Sequence, residues 1–188
     1  MYRNVFSTEA NTRRRPTGFT LIELLVVIGI VVLLMGILMP ALSGARAAAL
    51  RVVCRSNLHG LAVAFQMYLD EYADILPPAC QLRSLEDPNA ADYKAPITEF
   101  LMAYVSKPEI FKCPADSAKN YYACEGTSYE YNARIGGQHV EANFLAESYG
   151  QANVHVMYDY DCFHGQAGKP GAKNYLYADG HIGDLTRQ

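Results

Sequence analysis

From Leu24 to Leu42 the chain runs nineteen residues without a charge. As a helix rising about 1.5 Å per residue this stretch spans roughly 28 Å, close to the ~30 Å hydrocarbon core of a bilayer. Arg13, Arg14 and Arg15 stand before it, and positive charge ahead of an apolar segment keeps that flank in the cytoplasm. The pattern predicts a single membrane-spanning helix with everything after Leu42 outside the cytoplasm. One residue does not fit plain lipid. Glu23 places a carboxylate at the mouth of the run, where an acid costs roughly 2.5–3.5 kcal/mol at the bilayer centre and less near an interface. It calls for a partner.

Beyond the run the composition changes. The 188 residues have room for one domain plus an extension. The downstream part is polar and rich in tyrosine, of which the chain has 14 against no tryptophan, with Gly, Asn and Asp at turn-like intervals. Charge excludes one class of partner. The chain carries 16 Lys and Arg against 19 Asp and Glu. Without residues 1–18, which hold Arg3, Arg13, Arg14, Arg15 and Glu9, the balance is 12 against 18, or −6. A surface of that sign does not bind phosphate backbones, so no nucleic-acid partner is predicted.

Three readings of the apolar segment stand. A secretory signal would be cut after its apolar core, near Ala41 to Ala47 in "LMPALSGARAAAL". An uncleaved anchor would keep its N-terminus and hold an enzyme or binding module at the membrane. The third follows from "GFTLIELLVVIGIVVLL" behind a basic leader. This stretch resembles the class III signal of type IV pilins and type II secretion pseudopilins, which a membrane peptidase cuts on the cytoplasmic side after the glycine before methylating the new terminal phenylalanine.

The resemblance implies that Gly18 is the last leader residue, that Phe19 is the mature N-terminus, and that Glu23 is the fifth mature residue. Pro40 then falls at the twenty-second mature position, where the family commonly has proline. Cleavage creates the partner that Glu23 needs, because staggered subunits can set one chain's Glu23 beside a neighbour's Phe19 nitrogen. Breaking such a pair in a low-dielectric bundle by removing one member is costly. Glu23 thus reads as a register mark for assembly.

Apolar residues continue at helical spacing through Ala45, Ala48, Ala49, Val52, Cys54, Leu58, Leu61, Phe65, Tyr68, Leu69 and Tyr72, a one-sided stripe of period near 3.6. One helix is predicted from about Thr20 to Asp74, ending before Pro77 and Pro78. Pro40 cannot donate to the carbonyl of Gly36, and glycine lowers helix propensity further, so a weak joint is expected between Gly36 and Pro40. The polar, proline-rich "LPPACQLRSLEDPNAADYKAP" reads as a loop. A short helix is predicted over Ile97 to Val105, then a strand in "EIFKC", then strands in "TSYEYNARIG", "ANVHVMYDYD" and "KNYLYADGHIGDL", the last a hairpin turning at Asp179-Gly180.

The fold class is therefore α+β, a long N-terminal helix with a membrane-spanning first half packed on a small antiparallel sheet, the lollipop of pilins. The parts are a cleaved leader over 1–18, a transmembrane and assembly helix over 19–42, an amphipathic stem over 43–76, and a periplasmic or extracellular head over 77–188. "CRSNLHGLAVAFQMYLDEY", "FKCPAD", "SYEYN" and "NYLYADGHI" resemble a bacterial pseudopilin-like group whose C-terminal region has a histidine, nine residues and Asp-Gly. Here fourteen residues separate His164 from Asp179, with "GQAGKPGAK" enlarging the loop.

Five cysteines, Cys54, Cys80, Cys113, Cys124 and Cys162, lie in a compartment expected to be oxidising, with no C-x-x-C pair among them. They allow up to two disulfides and an odd thiol. The resemblance favours a Cys54–Cys113 bridge pinning head to stem, since both cysteines lie in the similar phrases. No zinc or redox motif is present. His59, His139, His155, His164 and His181 lack metal-ligand spacing apart from the weak Cys162-x-His164. Asp159 and Asp161, with Asp179 or Asp184, are the acids with which a calcium site could be built, as in some major pseudopilins. Solvated turn acids explain them equally well, and no cofactor is otherwise expected.

No Ser-His-Asp order, nucleophile elbow or phosphate loop occurs, so no enzyme is predicted. The resemblance implies a structural filament subunit, foremost a pseudopilin of a type II secretion-like system in the bacterial inner membrane, with head periplasmic or assembled in the filament. The alternatives are a surface pilin for adhesion, motility or DNA uptake, and the membrane-anchored enzyme or binding module. Its implied partners are copies of itself, other pseudopilins, prepilin peptidase, a platform protein with a cytoplasmic ATPase, and membrane lipid.

Overall fold

The computed structural model describes residues 19–117 and 119–184. The expected leader residues Arg13 to Arg15 and Gly18 lie outside the described residues. The chain divides into two compact units, residues 1–42 and 43–188, and each is described by itself.

Helix α1 spans Leu21–Glu71. In the first unit every described residue is solvent-exposed, and α1 continues through Gly36 and Pro40. Phe19 is 77% exposed, and Leu21, Ile22 and the run from Leu24 onward present their apolar side chains outward. Such a surface is unfavourable in water at about 25 cal/mol per Å² and suits lipid or neighbouring helices.

In the second unit α1 changes character because its apolar residues now recur on one side only. Cys54, Leu58, Leu61, Ala62, Ala64, Phe65, Tyr68 and Leu69 are buried. The predicted stripe overreaches at both ends, since Ala45, Ala48 and Ala49 are exposed, Val52 is 66% exposed, and Tyr72 is half exposed. Among the described residues no head element buries Ala45, Ala48, Ala49 or Val52.

The helix stops three residues short of the predicted Asp74. Prolines do not end it. Ala73 and Asp74 adopt left-handed backbone, φ 51° and 58°, and the Asp74 N–H donates to the Leu69 carbonyl at 3.0 Å, closing the last turn as a left-handed C-terminal cap does. The chain then reverses, so that the Leu76 N–H reaches the Gln138 carbonyl at 2.9 Å. Alanine in this region lacks glycine's freedom. Ala73→Gly is expected to stabilise the second unit by about 1 kcal/mol, the lower end of the left-handed penalty for a residue with a Cβ, read as a higher thermal midpoint with unchanged circular dichroism.

The sheet is four-stranded, antiparallel and in sequence order: β1 Tyr129–Tyr131, β2 His155–Asp159, β3 Tyr175–Tyr177 and β4 Ile182–Gly183. Tyr129 faces Asp159, Tyr158 faces Tyr175, and Leu176 faces Ile182. The β3–β4 turn forms at the predicted place. Gly180 takes φ 87°, its N–H bonds the Tyr177 carbonyl, and the Asp179 carboxylate accepts the His181 N–H at 3.1 Å, the local chemistry that selects Asp and Gly in hairpin loops. Tyr129, Tyr131, Val156, Met157 and Leu176 join the buried face of α1 in one core. The α+β fold and the antiparallel sheet are those expected.

The short helices differ more. Ile97 to Val105 is α2, Ile97–Leu101, followed by a tighter turn over Met102–Tyr104. The predicted strand "EIFKC" is instead a 3₁₀ turn over Pro108–Phe111. Pro108 sets the first φ of that turn and removes a ladder donor, while burial of Phe111 and Cys113 explains the apolar pattern that resembled a strand. Two further helices were not predicted, α3 Tyr121–Glu125 and α4 Phe144–Tyr149. The second has a legible start, because the Asn143 side chain caps it by accepting from the Leu145 and Ala146 N–H groups.

Candidate functional site

The N-terminal site is built from three residues, Phe19, Thr20 and Glu23. Thr20 precedes the first turn of α1 and Glu23 is its third helical residue. Glu23 Oε2 accepts from the Thr20 N–H at 2.9 Å and from the Thr20 hydroxyl at 2.7 Å, while Thr20 Oγ1 accepts the Glu23 N–H at 3.3 Å. This is a capping box, in which each side chain satisfies a backbone donor that the first turn leaves open. The acid also lies at the positive end of the helix dipole.

Glu23 therefore has a partner within its own chain. The reading of the sequence assigned it only an intermolecular one and passed over Thr20. The signal was present as Thr-x-x-Glu ahead of an apolar run. Phe19 lies directly before this cap, so an amine exposed there would share the end of the helix with the carboxylate. Residues 13–39 match a family described as a prokaryotic N-terminal methylation motif. The N-terminal segment carries a prepilin-type methylation motif. That match, with the exposed apolar helix behind it, supports a type IV pilin-like, prepilin-processed subunit. No curated protein and no solved structure matches the chain.

The acids considered for calcium do not converge. Asp161 pairs with Lys119 at 2.9 Å and accepts the Cys162 N–H, Asp179 holds His181 at 2.6 Å, and Asp184 holds Arg51 at 2.7 Å. Asp159 is fully buried at the end of β2, where its Oδ2 accepts from the Asn174 N–H at 2.7 Å and side-chain amide at 2.8 Å. Among the described residues they form no compact oxygen cluster.

The second unit instead gathers a different set. Cys54 on α1 is joined by a disulfide to Cys113, which follows the 3₁₀ turn, at a sequence separation of 59. Among the described residues Cys80, Cys124 and Cys162 are unpaired, so the second bridge that five cysteines allow is not formed. His164 packs on the bridge, its Nε2 3.5 Å from Cys113 Sγ and 3.4 Å from Asp159 Oδ2. Both side chains are essentially inaccessible.

Burial disfavours charge on each. It lifts the Asp159 carboxyl to about 7 against the pull of the Asn174 hydrogen bonds. It drops His164 to about 4, helped by the Arg51 guanidinium. Two polar atoms in this knot, Asp159 Oδ1 and His164 Nδ1, have no hydrogen-bond partner among the described residues. Nothing in the spacing of residues 54, 113, 159 and 164 announces the cluster.

Proposed function

We propose that the protein is a pseudopilin, a structural subunit of a type II secretion-like filament, cut after Gly18, methylated on Phe19 and polymerised through the first half of α1. The observation that carries this reading is the placement of Glu23, hydrogen-bonded to Thr20 at the first turn of a helix whose apolar side chains from Leu21 to Leu42 are exposed. A free subunit keeps the carboxylate satisfied by its own cap. A neighbour's Phe19 ammonium then competes for it by adding a full opposite charge to the hydrogen bond, an attraction that a low-dielectric bundle strengthens.

The basic leader orients the chain with the head outside the cytoplasm, and the uncovered apolar face of α1 supplies the surface for bilayer and neighbouring helices in turn. Prepilin peptidase, companion pseudopilins and an ATPase-driven platform protein are the partners this function requires. The acidic balance of the mature chain leaves DNA uptake without a basic surface.

Intact mass of the protein purified from its host tests the reading. The expected species lacks residues 1–18 and carries one added methyl. A chain still beginning at Met1, or one cut near Ala41 to Ala47, overturns it. Loss of secretion without loss of surface fibres in a deletion strain separates the pseudopilin from the surface pilin.

A further inference from the structure

We propose that Cys54, Cys113 and His164 form a zinc-type metal site that exists while the 54–113 disulfide is reduced, with Asp159 beside its open position. The two states exclude each other, because the same sulfurs serve the disulfide or the metal. The inference is independent of the filament reading.

Geometry comes first. Among the described residues these three are the one group of potential ligands whose donor atoms all lie within 4.8 Å of one another. They come from three separate segments, α1, the stretch after the 3₁₀ turn, and the loop after β2, so the packing of the whole unit brings them together. Tetrahedral zinc with Zn–S bonds of about 2.3 Å needs sulfurs about 3.8 Å apart, which opening the S–S bond allows by side-chain rotation. Two thiolates and an imidazole are a soft donor set that selects zinc-like ions over calcium or magnesium.

Polar bookkeeping comes second. In the oxidised state the buried imidazole faces a neutral disulfide and one carboxylate oxygen, while His164 Nδ1 and Asp159 Oδ1 remain unpartnered. Such groups are costly to bury without a purpose. A divalent ion changes the balance, since two thiolates and a neutral imidazole make its first shell neutral. Asp159, held by Asn174 and 3.4 Å from His164 Nε2 but outside the three-ligand group, is then placed to accept from a metal-bound water in the fourth position. Arg51, bonded to Asn174 and Asp184, offsets the added negative charge.

The chemistry balances. A dithiol reductant gives two electrons and two protons to the Cys54–Cys113 bond, which breaks to two thiols as the reductant closes its own disulfide. Metal binding forms two metal–sulfur bonds and one metal–nitrogen bond and releases two protons. Oxidation by an external disulfide reverses both steps and expels the ion. Both sulfurs are inaccessible in the folded unit, so the choice is made as the head closes, before the bridge forms.

The test uses the full chain in detergent with Cys80→Ala, Cys124→Ser and Cys162→Ser. It is unfolded, reduced with a dithiol that is then removed without air, and refolded with Co(II) as the probe. The expected result is one equivalent bound, with thiolate-to-cobalt charge transfer and the intense visible bands of a tetrahedral complex, both abolished by Zn(II). The oxidised chain should show neither band. His164→Ala should weaken binding by about 100-fold or more, as losing a ligand exceeds the ~10–100-fold effect of a supporting residue. His164→Cys should restore a tetrahedral complex with stronger charge transfer, which guards against simple misfolding of the alanine variant. Absence of the visible bands in the reduced chain, equal binding by the oxidised chain, or undiminished binding by His164→Ala overturns the proposal.

Discussion

Glu23→Gln is expected to leave membrane insertion and trimming intact while cutting incorporation into filaments by about tenfold or more, the effect of losing some 1.4 kcal/mol per contact. The substitution separates two roles that an alanine confuses. Glutamine serves the third position of a capping box as glutamate does, so the bonds to the Thr20 N–H and hydroxyl survive. Only the charge is lost. If Glu23 acts solely as a helix cap, the variant assembles normally and the register role is excluded. Thr20→Ala gives the complementary result. It removes the hydroxyl that bonds Glu23, at a cost of about 1 kcal/mol to the first turn, but keeps the carboxylate. It should assemble far better than Glu23→Gln. Pelleting of sheared or overexpressed filaments, with membrane fractions probed for trimmed subunit, measures both steps in one strain.

Replacing Cys54 and Cys113 together by alanine is expected to lower the stability of the second unit by about 4 kcal/mol, the chain-entropy value for closing a loop with a sequence separation of 59. For a unit of this size that is a fall in thermal midpoint on the order of 10 °C. Both cysteines are fully buried in the core with Leu58, Leu61 and Phe111, so alanine leaves a small cavity rather than an unsatisfied polar group. The bridge ties α1 to the segment before α3, and its loss removes the one disulfide cross-link among the described residues. Cys124→Ser, at an exposed and unpaired position, should be near neutral. Denaturant unfolding of the oxidised chain in detergent checks both. A double alanine variant as stable as the parent would show that packing alone holds Phe111 and Cys113 against α1.

The parts of the fold that local chemistry governs were readable in advance. The apolar run, its length and the change to one-sided spacing after Pro40 specify α1, because a 3.6 period is visible in any window long enough to hold several turns, although where that stripe is actually buried was not legible. Asp179-Gly180 between alternating residues specified the last hairpin, since its side chain and backbone freedom act within three residues. The Thr20–Glu23 cap was equally local, a Thr-x-x-Glu start that the search for an intermolecular partner passed over. "EIFKC" went the other way. Its apolar residues are buried, yet Pro108 commits the backbone to a turn, and burial without a ladder partner has the same pattern in a sequence as a short strand.

Sequence alone determined that this chain has a lipid-compatible helix with a prepilin-type start, and that a small antiparallel sheet follows. The helix and the sheet follow from periodicity, charge placement and turn chemistry, all of which operate over a few residues, and the prepilin-type start from the family match over residues 13–39. Tertiary structure decided the rest. Where α1 stops depends on the left-handed pair Ala73 and Asp74 turning the chain toward Gln138 and Val140. Likewise His164, Asp159 and the two cysteines meet only because α1, the 3₁₀ turn and the loop after β2 pack into one core. Their distances and their burial are properties of that packing, and burial is what makes an ordinary aspartate and histidine into a chemically unusual pair.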